Sequence, residues 1–308
     1  MIFTLDLLKC AVGHRQDLTS SIELQDAVAQ CLQAKCTVVD SLVAKRYFTQ
    51  TCQVPARDNF GVTRGVGWVL YTLTVICVAG RFLFRNPYCQ GSGYGLDDWL
   101  IIVSLAILTP IVALVDETTR HGLGQDIWML TPQQISRILY VSWACEIMYA
   151  VLMATTKIAI LMLYLRIWQA EEARNKRFRI ACYALCCVMV CFAVTFGLLF
   201  GLSCSPVSYA WERWDSTKEG TCLDVLATLF ACAAINIVLD FMVCLLPIPK
   251  LTALNMSTPK KIGISFIFVL GLFVTICSIV RFNYLVKFAH STNPSWDYQP
   301  IASTRRTG

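Results

Sequence analysis

The chain has 308 residues, of which 56% are hydrophobic and only 15% are charged, and its mean hydropathy is +0.58. Soluble domains carry about 25% charged residues, and disordered chains are poor in aliphatic residues, so the composition argues against both classes. The net charge of +6 is concentrated in particular loops, which indicates membrane orientation rather than binding to nucleic acid.

Six apolar segments are long enough to cross a bilayer, for which an α-helix needs about 20 residues. They lack the alternation of β-barrel strands. We therefore predict an all-α transmembrane bundle, in which Gly197 and Gly201 of the fourth span can seat a close helix neighbour. In chain order, the six predicted spans cover residues 65–80, 99–115, 138–165, 180–202, 225–246 and 262–280.

Basic residues are unevenly divided between the two sides of this bundle. The loops of the opposite side carry only Arg120, Arg137, Arg213 and Lys218. By the positive-inside rule the richer side is cytosolic, so we predict a plasma-membrane protein with an extracellular amino terminus. A glycan at the Asn255 sequon would invert this topology. The richer side carries Arg81, Arg85, Arg166, Arg174, Lys176, Arg177, Arg179, Lys250, Lys260 and Lys261.

Six of the 16 cysteines lie on the predicted extracellular side, which is oxidising. We expect a disulfide between Cys204 and Cys222, with pairing elsewhere or free thiols as the alternatives. A zinc site is the rival interpretation of two amino-terminal cysteines, but no second close pair or histidine accompanies them. Four amino-terminal cysteines allow two disulfides of undetermined pairing: Cys10, Cys31, Cys36 and Cys52.

Ionisable side chains inside predicted spans are costly in lipid, so each is a functional candidate. Glu146 and Lys157 share one helix face but lie about 16 Å apart along its axis, so they cannot pair with each other. We predict a contact between Asp240 and either Lys157 or Arg281. With Asn236, these five residues form our predicted ligand pocket between the third, fifth and sixth spans. The alternative is that they only join helices or lie at a wet interface.

The sequence contains no catalytic or metal-binding motif that we recognise. Phosphate-binding loops, Gly-x-Ser-x-Gly and His-Glu-x-x-His are absent. The three histidines, His14, His121 and His290, are scattered. We therefore predict neither an enzyme nor a metal site.

Several strings occur in order and with sensible spacing for one known family. They are GLDDWL, HGLGQDIW, EIMYAVLMATTKIAILMLYLRIW, CSPVSYAW, NIVLDFMVCLLPIPKL and KKIGISFIFVLGLFVTICSIVRF. On these strings, residues 60–289 resemble the fungal rhodopsin-like integral membrane domain, a family described as GPCR-like. The resemblance implies a receptor that senses an extracellular cue, and it makes a heterotrimeric G protein a candidate partner. Arg166 lies where a receptor's cytosolic arginine would be.

The amino-terminal segment, residues 1–58, resembles part of a CFEM domain, which often precedes this membrane domain. Eight cysteines are usual in a CFEM domain, and four are present here. Haem-binding relatives use an aspartate just before a Cys-x-Cys pair, whereas here Asp6 lies four residues before Cys10 and Val12 replaces the second cysteine. We therefore predict a shortened, disulfide-linked extracellular segment without haem.

The carboxyl-terminal residues, 290–308, form a short polar tail that cannot cross a bilayer. Family members have seven helices, so the last helix is expected to be missing, either through a truncated gene model or in a six-span variant. Without that helix there is no site for a retinal Schiff-base lysine, and no retinal is expected.

The preferred interpretation is a receptor in which an extracellular ligand shifts the population of bundle conformations. Basic cytoplasmic loops would transmit the change, and the candidate coupling residues are Arg166, Arg174, Lys176, Arg177 and Arg179. Two alternatives remain at this point. The intramembrane charges could line the path of a transporter or channel subunit, or the chain could be a truncated, non-functional paralogue.

Overall fold

The computed structural model describes residues 38–51, 60–86, 93–168, 176–214, 218–249 and 258–289. Almost all of these residues are helical, as the sequence predicts. Two short strands, β1 (Cys204–Ser205) and β2 (Thr221–Cys222), pair in antiparallel fashion. The helices are α1 (Val38–Thr51), α2 (Phe60–Arg85), α3 (Leu96–Arg120), α4 (Pro132–Ile167), α5 (Lys176–Gly201), α6 (Tyr209–Glu212), α7 (Val225–Leu245) and α8 (Thr258–Ala289).

Five helices are long and apolar enough to cross a membrane, namely α2, α3, α4, α5 and α7. The sixth predicted span falls within α8, whose described apolar stretch, Gly271–Val286, is shorter than the five others. The described residues therefore give five candidate spans where the sequence predicts six. The multi-pass helical architecture is confirmed.

The distribution of polarity is that of a protein surrounded by lipid. Asp97, Lys157 and Asp240 are at most 8% exposed, whereas Leu70 and Val194 are more than half exposed. A soluble fold would bury its large apolar side chains and expose its charges. The outward-facing aliphatic surface and the inward-facing charges together indicate a bilayer environment.

The longest helix, α4, connects the two ends of the bundle. It begins at a capping box, in which the Thr131 side chain accepts a hydrogen bond from the Gln134 backbone and the Gln134 side chain accepts one from the Thr131 backbone. Its 36 residues extend about 54 Å, well beyond the roughly 30 Å hydrocarbon core of a bilayer. One rigid helix therefore reaches both membrane surfaces.

The core of the bundle lies between α4 and α5. Ala150 and Ala154 are 1% exposed, and their small side chains allow the two helices to approach closely. The glycine pattern predicted for this purpose does not have that role. Among the described residues, no atom lies within 4 Å of a Cβ placed on Gly197, and Gly201 meets only the Ile147 side chain.

A disulfide joins Cys204 to Cys222 across the strand pair. Next to it, Trp211 packs on Tyr140 and Trp143 of α4, with ring centroids 5.0 and 5.3 Å away. Such aromatic clusters favour the membrane–water interface. We call this the disulfide end of the bundle, and the opposite end, which carries Arg81, Arg85 and Arg166, the arginine end. The four amino-terminal cysteines lie outside the described residues.

Replacing both bridging cysteines, in Cys204→Ser/Cys222→Ser, is expected to lower the free energy of unfolding by about 3 kcal/mol. The bond closes a loop with a sequence separation of 18 residues, and a loop of this length constrains the unfolded chain by about that amount. Thermal unfolding in detergent, with and without reductant, measures the effect. The exposed free Cys187 provides a control, since Cys187→Ser should leave the midpoint unchanged. A wild-type midpoint that is insensitive to reductant would contradict the prediction.

Candidate functional site

A cavity of about 160 Å³ lies in the disulfide half of the bundle, between α3, α4, α5, α7 and α8. Its walls are mainly apolar, with Phe192 and Phe200 from α5 and Leu229 from α7. Charged groups enter it from two sides, Glu146 on α4 and Arg281 on α8. A concave apolar space with a few convergent polar groups is the usual form of a small-molecule site.

The Glu146 carboxylate faces this cavity without a direct partner. Among the residues that the structure describes, none forms a hydrogen bond or an ion pair with it within 4 Å. The guanidinium groups of Arg213 and Arg281 act on it electrostatically from beyond that distance. A carboxylate at membrane depth with no contacting counter-ion is costly, which marks it as a functional candidate.

Arg281 is held against an aromatic ring on α4. Its Cζ atom lies 3.8 Å from the ring centroid of Tyr149, a close cation–π contact. Tyr149 follows Glu146 by three residues, so the two side chains lie on neighbouring turns of one helix face. Helix α4 therefore positions both charged groups of the cavity, since it carries Glu146 and holds Arg281 through Tyr149. The two charged groups do not contact each other.

A buried polar network joins three helices next to the cavity. Lys157 Nζ on α4 lies 3.0 Å from Asp240 Oδ1 and donates a 2.6 Å hydrogen bond to Asn236 Oδ1 on α7. Asn236 Nδ2 donates to Asp240 Oδ2 at 3.1 Å, and Ser278 of α8 donates to the same oxygen at 2.9 Å. Lys157 and Asp240 are each 7% exposed in their side chains, so this ion pair is fully desolvated.

The structure brings the five predicted pocket residues into one region. Glu146, Asn236 and Arg281 line the cavity, and Lys157 and Asp240 connect to it through Asn236. Of the two partners predicted for Asp240, the structure selects Lys157. The role of these residues in binding remains a prediction.

Two residues of this region, Tyr149 and Ser278, were not predicted from the sequence. Ser278 is a polar residue in an apolar span, one turn before Arg281. This pattern could have identified Ser278 as a contact of Asp240. No comparable signal marks Tyr149, because an aromatic residue in an apolar helix is common.

Arg166, a predicted coupling residue, belongs to an ionic cluster at the arginine end. Its Nη1 atom lies 3.1 Å from both Asp97 Oδ1 and Asp98 Oδ2 of α3. Arg81 and Arg85 of α2 contact the same two carboxylates at 2.5–2.8 Å. The aspartates are 2% and 1% exposed. Three arginines and two aspartates thus join the ends of α2, α3 and α4.

The spacing of these charges in the sequence is consistent with such a cluster. Arg81 and Arg85 lie one turn apart at the end of α2, and the paired aspartates lie in the first turn of α3. Asp98 also caps α3, accepting a 2.9 Å hydrogen bond from the Gly95 backbone. The positive-inside rule counts only the basic residues, so it gives no information on Asp97 and Asp98 as partners of these arginines.

The other predicted coupling residues lie near the start of α5. Lys176 and Arg177 are exposed, and Arg179 is half-buried. Arg174 lies outside the described residues, as do the amino-terminal cysteines Cys10, Cys31, Cys36 and Cys52 and the polar tail. In the part of the chain that the structure describes, no three His, Cys, Asp or Glu side chains group closely enough to hold a metal ion.

Comparison with known proteins identifies three relatives. The chain is similar to a SAT4 family membrane protein of Emericella nidulans, with 30% identity over 59% of the chain and 46% of the relative. It is also similar to fugralins biosynthesis cluster protein 2 of Gibberella zeae, with 27% identity over 50% and 38%. Wortmanamides biosynthesis cluster protein C of Talaromyces wortmannii shares 24% identity over 80% and 65%.

The chain thus spans less than two thirds of the length of each of these relatives. No solved structure matches it. A family model described as the fungal rhodopsin domain matches residues 81–304. The match begins after residue 80, so the CFEM-like interpretation of residues 1–58 remains a prediction. Most of the chain lies within the match, and the chain therefore belongs to the fungal rhodopsin domain family.

Proposed function

We propose that this protein is a plasma-membrane receptor that binds a small molecule in the cavity at its disulfide end. The proposal places the disulfide end and the amino terminus outside the cell, because the basic loops lie at the opposite end. Binding would shift the population of bundle conformations, and the cytosolic arginine end would transmit the shift.

One observation carries the proposal: the single helix α4 bears the cavity acid, the lysine of the buried ion pair and an arginine of the opposite cluster. Glu146, Lys157 and Arg166 follow one another along this helix. Each belongs to a different set of contacts, with the cavity, with α7, and with α3. A ligand that displaces α4 therefore alters contacts at the far end of the bundle.

The arginine end offers an exposed basic surface for a cytosolic partner, and we propose that this partner is a heterotrimeric G protein. Its most accessible described residues are Lys176 and Arg177. We expect the protein in nanodiscs to accelerate nucleotide exchange on a Gα subunit above the rate with empty nanodiscs. Charge reversal in Lys176→Glu/Arg177→Glu should remove most of this acceleration, because the basic surface would then repel acidic partner groups.

A matched charge reversal at the disulfide end provides the control. Arg137 and Lys218 are similarly exposed but lie on the side that we place outside the cell. Arg137→Glu/Lys218→Glu should leave the exchange rate unchanged. Wild-type exchange no faster than with empty nanodiscs, or equal loss in both variants, would contradict the receptor proposal.

Transport is the second candidate, favoured by the continuity between the cavity and the buried Lys157–Asp240 pair. Ionisable groups on such a path can relay protons or bind a solute. Two relatives are named after biosynthesis clusters, for fugralins and for wortmanamides, which supports a role beside the synthesis of such compounds. Flux of protons or solute into proteoliposomes, lost in the double variant Lys157→Met/Asp240→Leu that is expected to retain much of the stability, would favour transport over reception.

A further inference from the structure

We propose that the cavity binds a small organic ammonium ion, with the protonated amine of the ligand paired to Glu146. This inference rests on the proposed function, since it names the ligand class of the same cavity.

The charge distribution within the cavity favours a cationic ligand. Glu146 is the one carboxylate among the described lining residues, and no described side chain forms an ion pair with it. The polar groups contributed by the neighbouring helices are already engaged. Asn236 and Ser278 hydrogen-bond within the Asp240 network. A ligand cation would supply the counter-ion that a desolvated carboxylate requires.

The position of Arg281 decides against an anionic ligand. Its guanidinium group lies over the Tyr149 ring, 3.8 Å from the ring centroid, and it is held there by a cation–π contact. A ligand carboxylate would have to draw Arg281 from this ring and would meet the negative charge of Glu146. A ligand ammonium group requires no such displacement, because Glu146 already faces the cavity. The positive charge of Arg281 also disfavours a dication.

The volume and the lining of the cavity limit the size and the polarity of the rest of the ligand. Its volume of about 160 Å³ is close to that of a roughly 150 Å³ engineered cavity, which accommodates benzene. Phe192, Phe200 and Leu229 line it with apolar surface. The ligand that fits is therefore a small compound with one ring or a short branched chain and a single amine.

Four phenyl compounds with different polar groups test the assignment by isothermal titration of the full chain in nanodiscs, and the amine and the alcohol among them are isosteric. They are 2-phenylethylamine, 2-phenylethanol, 3-phenylpropanoate and phenylalanine. We expect the amine to bind at least tenfold more tightly than the alcohol and more tightly than the anion or the zwitterion. The proposal is overturned if the alcohol, the anion or the zwitterion binds as tightly as the amine, or if none of the four binds.

Glu146→Gln should weaken binding of the amine at least tenfold and leave the affinity for the alcohol unchanged, because only the charge is removed. Glu117→Gln is the matched control, since Glu117 is a surface carboxylate near the same end of the bundle, paired with His121 and Arg137 outside the cavity. Glu146→Asp keeps the charge and should retain the preference for the amine. Equal amine affinity in wild type and Glu146→Gln would overturn the proposal.

The binding measurement is independent of signalling. Amine binding that depends on Glu146, without nucleotide exchange on Gα, would leave the ligand assignment standing and reject the receptor. Nucleotide exchange without amine binding would do the reverse.

Discussion

Lys157→Met is expected to destabilise the bundle by about 3–5 kcal/mol. The substitution keeps the length and apolar stem of the side chain but leaves Asp240, which is 8% exposed, without its cation. Removing one partner of a buried ion pair carries a cost of this size, because the remaining charge stays desolvated. Asn236 and Ser278 would still donate to Asp240, but neither supplies a positive charge.

The chain carries its own reporters for this experiment. Cys182, Cys186 and Cys232 are buried free thiols, so a thiol-reactive dye measures thermal unfolding when the bundle opens. The double variant Lys157→Met/Asp240→Leu should recover much of the loss, since an apolar pair can replace a buried ion pair at little cost. Lys218→Met changes an exposed lysine and should leave the midpoint unchanged. A single Lys157→Met variant with the wild-type midpoint would show that the pair does not stabilise the fold.

The Lys157–Asp240 pair could be predicted because lipid limits the choices. Each ionisable group inside a span requires a partner, and the i, i+4 spacing of Asn236 and Asp240 already places both on one face of a helix. Few cations remain available at that depth. The sequence therefore leaves two candidate cations for Asp240, Lys157 and Arg281. In the packed bundle the partner is Lys157.

The environment of Arg281 could not be predicted in the same way. Its contact with Tyr149 depends on the rotation of α8 about its axis, and the described apolar residues of α8 give no strong preference for one face. An aromatic partner also leaves no distinctive spacing in the sequence. The separation of Glu146 from Arg281, on which the ligand assignment depends, is thus a property of the packed bundle alone.

Arg166 shows how a correct rule can conceal a contact. The positive-inside rule counts lysines and arginines and gives little weight to acidic residues. It therefore grouped Arg166 with the basic residues of the cytosolic side and named no acidic partner, whereas the structure ties Arg166 to Asp97 and Asp98. Among the described basic residues of this end, Lys176 and Arg177 are the exposed ones. Any coupling role of Arg166 would require this cluster to open.

Removing both acids of that cluster is the second large effect that we expect. Asp97→Asn/Asp98→Asn should lower the free energy of unfolding by about 3–5 kcal/mol, because three guanidinium groups lose their buried counter-ions. α2 is the helix most affected. Its described side chains are largely exposed, and its polar contacts to α3 lie mainly at its two ends, with Arg64 on Asp116 at the disulfide end and Arg81 and Arg85 at the other.

The same variant also tests whether the cluster restrains signalling. With the aspartates neutralised, repulsion among the three arginines would separate α4 from α2 and release Arg166. We expect the rate of nucleotide exchange on Gα, measured without ligand, to rise above that of the wild-type protein. Asp116→Asn is the matched control, because it weakens the contact between α2 and α3 at the opposite end and leaves Arg166 bound. It should lower the unfolding midpoint without raising exchange. If both variants raise the exchange rate equally, loosening of α2 controls the rate and release of Arg166 does not. If neither variant lowers the unfolding midpoint, the ionic contacts do not hold α2 in place.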